Sequence, residues 1–124
     1  MNKALKKMKL IYIAGAYRGK DSHTILMNIY NAEALGMDLV TYIDNVYPVV
    51  PHNNTRFWEG LKSPEFFIDG TLELMRRCDA VLVQTIRVET SKGTAGEIEE
   101  ARRLRIPVFY SIAEVREWMS QEIE

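Results

Sequence analysis

Three glutamates stand within four residues of one short stretch, and one of them differs from the others in its neighbours. The stretch is SKGTAGEIEEARR, residues 91–103. Glu99 and Glu100 are each followed by an arginine three or four positions later, which is the spacing of ion pairs on an exposed helix face. Glu97 has no cation at those positions. Its carboxylate is therefore a candidate for nucleophilic or acid–base chemistry.

A structural role for Glu97 is equally consistent with this pattern. Thr94 and Glu97 have the spacing of a capping box, in which a hydroxyl and a glutamate satisfy the free amides at the start of a helix. A helix that begins near Thr94, with Ser91 and Gly93 before it, would also present amides and a positive dipole end to a phosphate. At this point the sequence leaves both roles of Glu97 open.

A second candidate segment is GAYRGK, residues 15–20. Gly15 and Gly19 either make a turn or let the backbone come close to an anion, which the guanidinium of Arg18 would also bind. Tyr17 is placed to stack on a base or to hydrogen-bond a reacting group. The segment matches neither G-x-G-x-x-G nor a P-loop, so it carries no dinucleotide or ATP signature.

Asp69 and His52 complete the set of candidate residues. Asp69, in FFIDGTL, is either an exposed helix position or a partner of Glu97 in orienting a nucleophile or moving a proton. His52 follows an apolar run and is placed to contact a ligand there. The single cysteine, Cys78, is typical of a small buried residue, excludes a disulfide within the chain and offers no metal cluster. We predict neither a metal nor another cofactor.

Four short, continuous apolar runs predict the strands that position these residues. They span residues 10–16, 46–51, 80–85 and 107–111. Continuous rather than alternating runs are typical of strands buried on both faces of a parallel sheet. Because helical patterns fill the intervals, the sequence predicts one doubly wound, three-layer α/β domain over residues 1–124, with a central parallel sheet of four to five strands.

The helices are predicted from apolar spacing and from their start signals. The first has apolar or small residues three or four positions apart. These are Ile25, Ile29, Ala32, Gly36, Leu39 and Ile43. Asp21 or Ser22 stands where its N-cap belongs, and Ser63 marks the start of a second helix. The third and fourth helices are predicted to begin near Thr94 and Ile112.

A parallel α/β sheet binds ligands at the carboxyl ends of its strands. That edge would gather the loops at 15–19, 52–54 and 85–94. The chain of 124 residues has 47% hydrophobic residues, 27% charged residues and a net charge of −1. This composition is ordinary for a soluble domain and lacks the basic excess of a protein that binds polymeric nucleic acid. No apolar run approaches the roughly 20 residues that span a membrane, so we predict a cytoplasmic protein without membrane contact.

Together these segments resemble the nucleoside 2-deoxyribosyltransferase superfamily, including its small uncharacterised phage and bacterial members. The resemblance extends to the deoxyribonucleoside 5′-monophosphate N-glycosidases. It is carried by IYIAGAYRG at 11–19, DGTLELMRRCDAVLV at 69–83 and SKGTAGEIEEARRLRIPVFY at 91–110. It implies a flavodoxin-like parallel α/β sandwich. It also implies a homo-oligomer, a dimer or larger, because the superfamily generally builds its sites across subunits.

The resemblance also implies roles for three of the candidate residues. Glu97 would attack C1′ of a deoxyribose, and the base would leave as it is protonated. Asp69 matches by position an aspartate that assists this step, and Tyr17 would position the sugar or the nucleophile. The sugar is then passed to water or to a second base, so the implied enzyme is an N-glycosidase or a deoxyribosyltransferase.

Substrate type depends on the residue six places before the nucleophile. Ser91 occupies that place, as in the nucleotide N-glycosidases, where serine and the following glycine hold a 5′-phosphate. Arg18 matches a further arginine of those enzymes, whereas Ala16 stands where they have a phosphate-binding serine. Ser91, Thr94 and Gly93 with Arg18 would bind a phosphate that an acidic residue would repel. This favours a nucleoside 5′-monophosphate over a free deoxynucleoside.

Two other functions fit parts of the sequence. GTAGE, residues 93–97, matches the G-T-x-x-E core of the lysine-decarboxylase-like phosphoribohydrolases, although the two glycines that normally precede it are Ser91 and Lys92 here. Those enzymes cleave the same type of bond. The alternative from another class is a nucleotide-binding or sensing module without catalysis, in which Glu97 only caps a helix.

Overall fold

A four-stranded, entirely parallel sheet forms the centre of the domain, in a computed structural model that describes residues 7–86 and 91–121. The strands are β1 (Lys9–Ala14), β2 (Val46–Val49), β3 (Ala80–Val83) and β4 (Val108–Phe109). Each lies within or next to a predicted apolar run. The runs extend further than the strands at their carboxyl ends, because the residues there leave the sheet to form the connections to the next helices.

In the described part of the chain, five helices connect and flank these strands. They are α1 (Ser22–Tyr42), α2 (Pro51–Asn54), α3 (Pro64–Arg76), α4 (Lys92–Arg103) and α5 (Ile112–Gln121). The predicted starts of α1, α3 and α5 are confirmed. The Asp21 carboxylate accepts a hydrogen bond from the Thr24 amide at 2.8 Å, and Ser63 Oγ accepts one from the Phe66 amide at 3.3 Å. The short helix α2 was not predicted, and it includes His52, which the sequence had placed in a loop.

The helices cover the sheet in two layers, which confirms the predicted three-layer α/β arrangement. Helices α1 and α5 pack on the face that carries Ile11, Ile13 and Leu82, with the predicted apolar stripe of α1 turned towards it. Helices α3 and α4 cover the opposite face. That second core contains Tyr12, Ala14, Met75, Cys78, Val81, Val83 and Ala101. Cys78 is buried there as a free thiol, as expected.

The strand order β2-β1-β3-β4 fixes where a ligand cleft can form. From β1 the chain passes outward to β2, and it then returns across β1 to build β3 and β4. Crossovers leave β1 and β3 in opposite directions, so the loops that follow these two strands diverge and leave a crevice at their carboxyl ends. None of the helices in the two described ranges has the length and apolar character needed to cross a membrane.

Candidate active site

A cleft of about 670 Å³ opens at the carboxyl edge of the sheet. Its walls are the loop after β1, the short helix α2, the first half of α3 and the first turns of α4. This volume lies within the range of about 300–1,000 Å³ that is usual for small-molecule sites. The cleft stands at the switch point of the strand order, where the sequence pattern predicted a site.

Nine of the ten residues predicted to form the site line this cleft. They are Gly15, Tyr17, Arg18, Gly19, His52, Ser91, Gly93, Thr94 and Glu97. They come from the loop after β1, the short helix α2 and the start of α4, which the parallel sheet brings to one edge. Their positions agree with the expectation, and their individual roles stay predictions. Part of the loop after β3, residues 87–90, lies outside the described residues.

Asp69 is the tenth residue, and the structure does not bring it to the cleft. Its side chain is exposed on α3, whereas Phe67 and Thr71 of the same helix line the cleft. Successive residues of an α-helix are rotated by about 100°, so Asp69 lies on a different face from Thr71, two positions later. The expectation that Asp69 converges with Glu97 is therefore wrong. Thr71 occupies the position facing the glutamate.

The carboxylate of Glu97 lies beside hydroxyl groups of two other elements. The Tyr12 hydroxyl, at the centre of β1, donates a hydrogen bond of 2.5 Å to Glu97 Oε2. The Thr71 hydroxyl, on α3, lines the same cleft and donates its hydrogen bond to the Ile68 carbonyl at 3.0 Å. Burial raises the pKa of Glu97 to about 7, although the neighbouring hydroxyls of Tyr12 and Thr71 act to lower it. At neutral pH the carboxyl group is thus divided between its acid and carboxylate forms.

The start of α4 shows that Glu97 is not a helix cap. The N-cap is Ser91, whose Oγ accepts a hydrogen bond from the Thr94 amide at 3.1 Å and donates one to Thr94 Oγ1 at 2.7 Å. The helix begins at Lys92, two residues before the predicted start, and Thr94 is its third residue. Glu97 therefore lies in the second turn, too far along the helix to reach back to the N-cap amide. The capping-box interpretation is wrong.

Glu100, one turn further along α4, has the opposite environment. Its carboxylate contacts the guanidinium of Arg103 at 2.9 Å and that of Arg76 at 3.0 Å. These hydrogen bonds hold the pKa of Glu100 down at about 2. The predicted i,i+3 pair of Glu100 with Arg103 is confirmed. Glu97 and Glu100 are thus two glutamates of one helix with pKa values near 7 and near 2, so their environments make them chemically different groups.

One end of the cleft is suited to an anion. The first amides of α4 have no carbonyl partner within their own helix, and they carry the positive end of the helix dipole. Arg18 and Lys92 are exposed and line the same cleft. Within residues 7–86 and 91–121, neither of them forms an ion pair with a carboxylate. These are the features that bind a phosphate group at a helix N-terminus.

His52 fixes the loop after β1 rather than facing the cleft freely. The residue is 5% exposed, and its Nε2 lies 3.1 Å from the carbonyl oxygens of both Gly15 and Ala16. Because both partners are acceptors, Nε2 carries the hydrogen. Burial lowers the pKa of His52, so the ring is neutral near pH 7. Gly15 has no space for a side chain, since a Cβ there would lie 2.9 Å from the Cβ of Gln84.

Tyr17 connects the loop after β1 to the segment between α2 and α3. Its hydroxyl donates a hydrogen bond of 2.5 Å to Glu59 Oε2 and accepts one of 2.9 Å from the Phe57 amide. Glu59 lines the cleft together with Tyr17. Hydrogen bonding to Glu59 contributes, after burial, to raising the pKa of Tyr17.

Sequence reasoning missed several residues that line the cleft or support it, among them Tyr12, Glu59, Thr71 and Lys92. One signal for Tyr12 was present, because it is the single residue of β1 between Leu10 and Ala14 whose side chain has a polar atom, and a buried tyrosine hydroxyl usually requires a partner. Glu59 and Thr71 carried no such signal. Among the described residues, no group of three or more histidine, cysteine, aspartate or glutamate side chains is arranged to hold a metal ion.

Comparisons with known proteins agree with this fold. The model of a family described as a domain of unknown function (DUF7768) matches residues 9–111. Among solved structures, the chain is similar to the 2-deoxyribosyltransferase of the psychrotolerant bacterium Bacillus psychrosaccharolyticus. The two share 23% identity over 80% of this chain and 69% of that one, with a TM-score of 0.53. This similarity shows a common fold. None of the curated proteins matches the chain.

Proposed function

This chain belongs to the DUF7768 family, and we propose that it is an enzyme acting at the N-glycosidic bond of a nucleoside 5′-monophosphate. The observation that carries the proposal is the environment of Glu97. Its carboxylate lines a cleft, accepts a hydrogen bond from Tyr12 and has a pKa near 7. The anion-binding start of the same helix lies about one and a half turns away. The fold shared with a 2-deoxyribosyltransferase supports the same chemistry.

In the proposed reaction the phosphate binds at the start of α4, with Arg18 and Lys92 beside it. This places the sugar over the second turn of the helix, where Glu97 lies. The ionised carboxylate attacks C1′, the C1′–N bond breaks, and its electron pair leaves with the base, which takes a proton from solvent. Tyr12 holds Oε2 and so fixes the orientation of the attacking group.

The glycosyl-enzyme is then resolved by a second displacement. Water, or the nitrogen of a second base, attacks C1′ from the face that the first base left. The C1′–O bond to Glu97 breaks, the carboxylate is regenerated, and the proton of the attacking group passes to solvent. Two inversions give net retention at C1′, as in glycoside hydrolases that use a carboxylate nucleophile.

Release of free base from purified protein tests this function. A panel of deoxynucleosides, ribonucleosides and their 5′-monophosphates is incubated with the wild type, and the free base is separated by liquid chromatography. We expect release from monophosphates, and loss of at least about a thousandfold in rate for Glu97→Gln. Glu99→Gln is the matched control, since Glu99 is an exposed glutamate of the same helix outside the cleft.

The other outcomes identify the competing functions. Release only when a second base is present identifies a transferase, and release only from ribonucleotides identifies a phosphoribohydrolase. Nucleotide binding without any release of base identifies a sensing module and overturns the proposal. The homo-oligomer that the sequence resemblance implies is a separate prediction, and light scattering after size exclusion tests it.

A further inference from the structure

Glu59 is, with Glu97, one of two acidic residues that line the cleft in the part of the chain that the structure describes. It belongs to the segment between α2 and α3. Tyr17 donates a 2.5 Å hydrogen bond to one of its carboxylate oxygens, and the Phe57 amide holds the Tyr17 hydroxyl in turn. This chain of hydrogen bonds presents an exposed carboxylate at a fixed place in the cleft.

Sheet topology places Glu59 away from the anion-binding end. Helix α4 follows β3, whereas the segment that carries Glu59 follows β2 and α2. Because β1 lies between β2 and β3 in the sheet, the two walls stand on opposite sides of the loop after β1. A substrate with its phosphate at the start of α4 and its C1′ near Glu97 therefore extends its base towards Glu59.

The same side of the cleft has apolar walls that suit a flat ring. A second cavity of about 410 Å³ shares Pro51, Thr55, Phe67 and Thr71 with the main cleft. Trp58 and Phe66 line its far side. A heterocyclic base stacks favourably on such aromatic surfaces. The walls on this side are therefore largely apolar, and the Glu73 carboxylate, which also lines the second cavity, is already paired with Arg76 and Arg77.

We propose that Glu59, positioned by Tyr17, recognises the base and selects guanine; this inference rests on the function proposed above. An ionised carboxylate only accepts hydrogen bonds, so it favours a base that presents adjacent donors. Guanine offers two on one edge, the ring N1–H and the 2-amino group. Adenine and cytosine place a ring acceptor beside their amino group, and thymine places its N3–H between two carbonyl oxygens. Each of these acceptors would face the carboxylate unfavourably.

A single chemical group on the substrate tests this assignment. 2′-Deoxyguanosine and 2′-deoxyinosine 5′-monophosphates differ only in the 2-amino group, and kcat/KM for base release is measured for both. We expect the wild type to prefer the guanine nucleotide by at least about tenfold, the effect of one hydrogen bond to a charged group. In Glu59→Gln the ratio should fall to within about twofold of one. Glu65→Gln, an exposed glutamate of α3 outside both cavities, should keep the wild-type ratio.

Equilibrium binding makes the result independent of turnover. Titration calorimetry with the same two nucleotides measures whether the wild type distinguishes them and whether Glu59→Gln abolishes the difference. Absence of base release from every substrate overturns the proposed enzymatic function and leaves this binding test valid. Equal kcat/KM or equal affinity for the two nucleotides in the wild type overturns the role of Glu59, as does an unchanged ratio in Glu59→Gln. Binding of neither nucleotide overturns it as well.

Discussion

The Tyr12 hydroxyl and the Glu97 carboxylate, 85 residues apart in the chain, meet at 2.5 Å across the boundary between sheet and helix. Tyr12 is completely buried in β1, so its hydroxyl has a fixed position, and Glu97 reaches it from the second turn of α4. This contact gives the glutamate one strong donor in a site where burial otherwise disfavours its charge. The pKa of Glu97, about 7, is the balance of these opposing effects.

The rate of the proposed reaction should therefore depend on pH through Glu97. A nucleophilic carboxylate must be ionised, so kcat/KM should rise with pH through a midpoint near 7 and then level off. Tyr12→Phe removes a donor that stabilises the charged form, so the pKa of Glu97 rises and the midpoint should move to higher pH. Base release across pH 5–9 measures both profiles.

Two results would contradict this assignment. One is a midpoint near the ordinary glutamate pKa of about 4.5, and the other is a midpoint that Tyr12→Phe leaves in place. The phenylalanine variant keeps the ring that fills the core between sheet and helices. A folded variant with a displaced pH profile therefore separates a tuning role of the hydroxyl from a purely structural one.

The same pKa predicts how stability varies with pH. Glu97 has a pKa of about 7 in the folded chain and 4.5 as its reference value, so between these limits the folded state binds more protons than the unfolded state. The contribution of Glu97 to stability is then fully present below about pH 4.5 and is lost as pH rises towards 7. Glu97→Gln cannot ionise. We expect it to be more stable than the wild type at pH 8, by at most about 3 kcal/mol, and similar to it at pH 4.

Urea unfolding at the two pH values measures this difference. Because burial also lowers the pKa of His52, a second residue makes stability depend on pH, and the comparison is made between variants at one pH rather than along the pH axis of one protein. Glu99→Gln provides the reference for loss of an exposed carboxylate. A Glu97→Gln variant that is less stable than the wild type at pH 8 would show that the carboxylate contributes to stability and is not merely tolerated for function.

The fold was predictable because its signals are local. Continuous apolar runs marked the strands, and Asp21 and Ser63 marked helix starts through hydrogen bonds to amides three residues later. Ser91 does the same for α4, but Thr94 offered a competing start with a glutamate at the capping-box distance. Only the geometry of the turn decides between two such hydroxyls, and it places Ser91 at the cap and Thr94 inside the helix.

The site was predictable in its location and only partly in its members. Parallel strands bring the loops at their carboxyl ends together, so Arg18, Ser91 and Glu97 could be grouped from sequence order alone. The face of α3 that turns to the cleft depends on how that helix packs on the sheet. For this reason Asp69 was predicted as the partner of Glu97, although the structure places the Thr71 side chain beside Glu97 instead.

The cap of α4 offers a direct test of phosphate recognition. Ser91→Asp keeps a good N-cap acceptor, so the helix should remain intact, but it adds a negative charge where the phosphate is proposed to bind. We expect KM for deoxynucleoside monophosphates to rise by about tenfold or more and activity on the free deoxynucleosides to be unchanged or increased.

Ser91→Asn is the matched control, since asparagine also caps helices, has nearly the same size as aspartate and carries no charge. Thermal unfolding measures the stability of both variants, and a free energy of unfolding within about 1 kcal/mol of the wild-type value would confirm that the cap is preserved. If Ser91→Asp and Ser91→Asn affect monophosphates equally, charge at this position is irrelevant, and the phosphate does not bind at the start of α4.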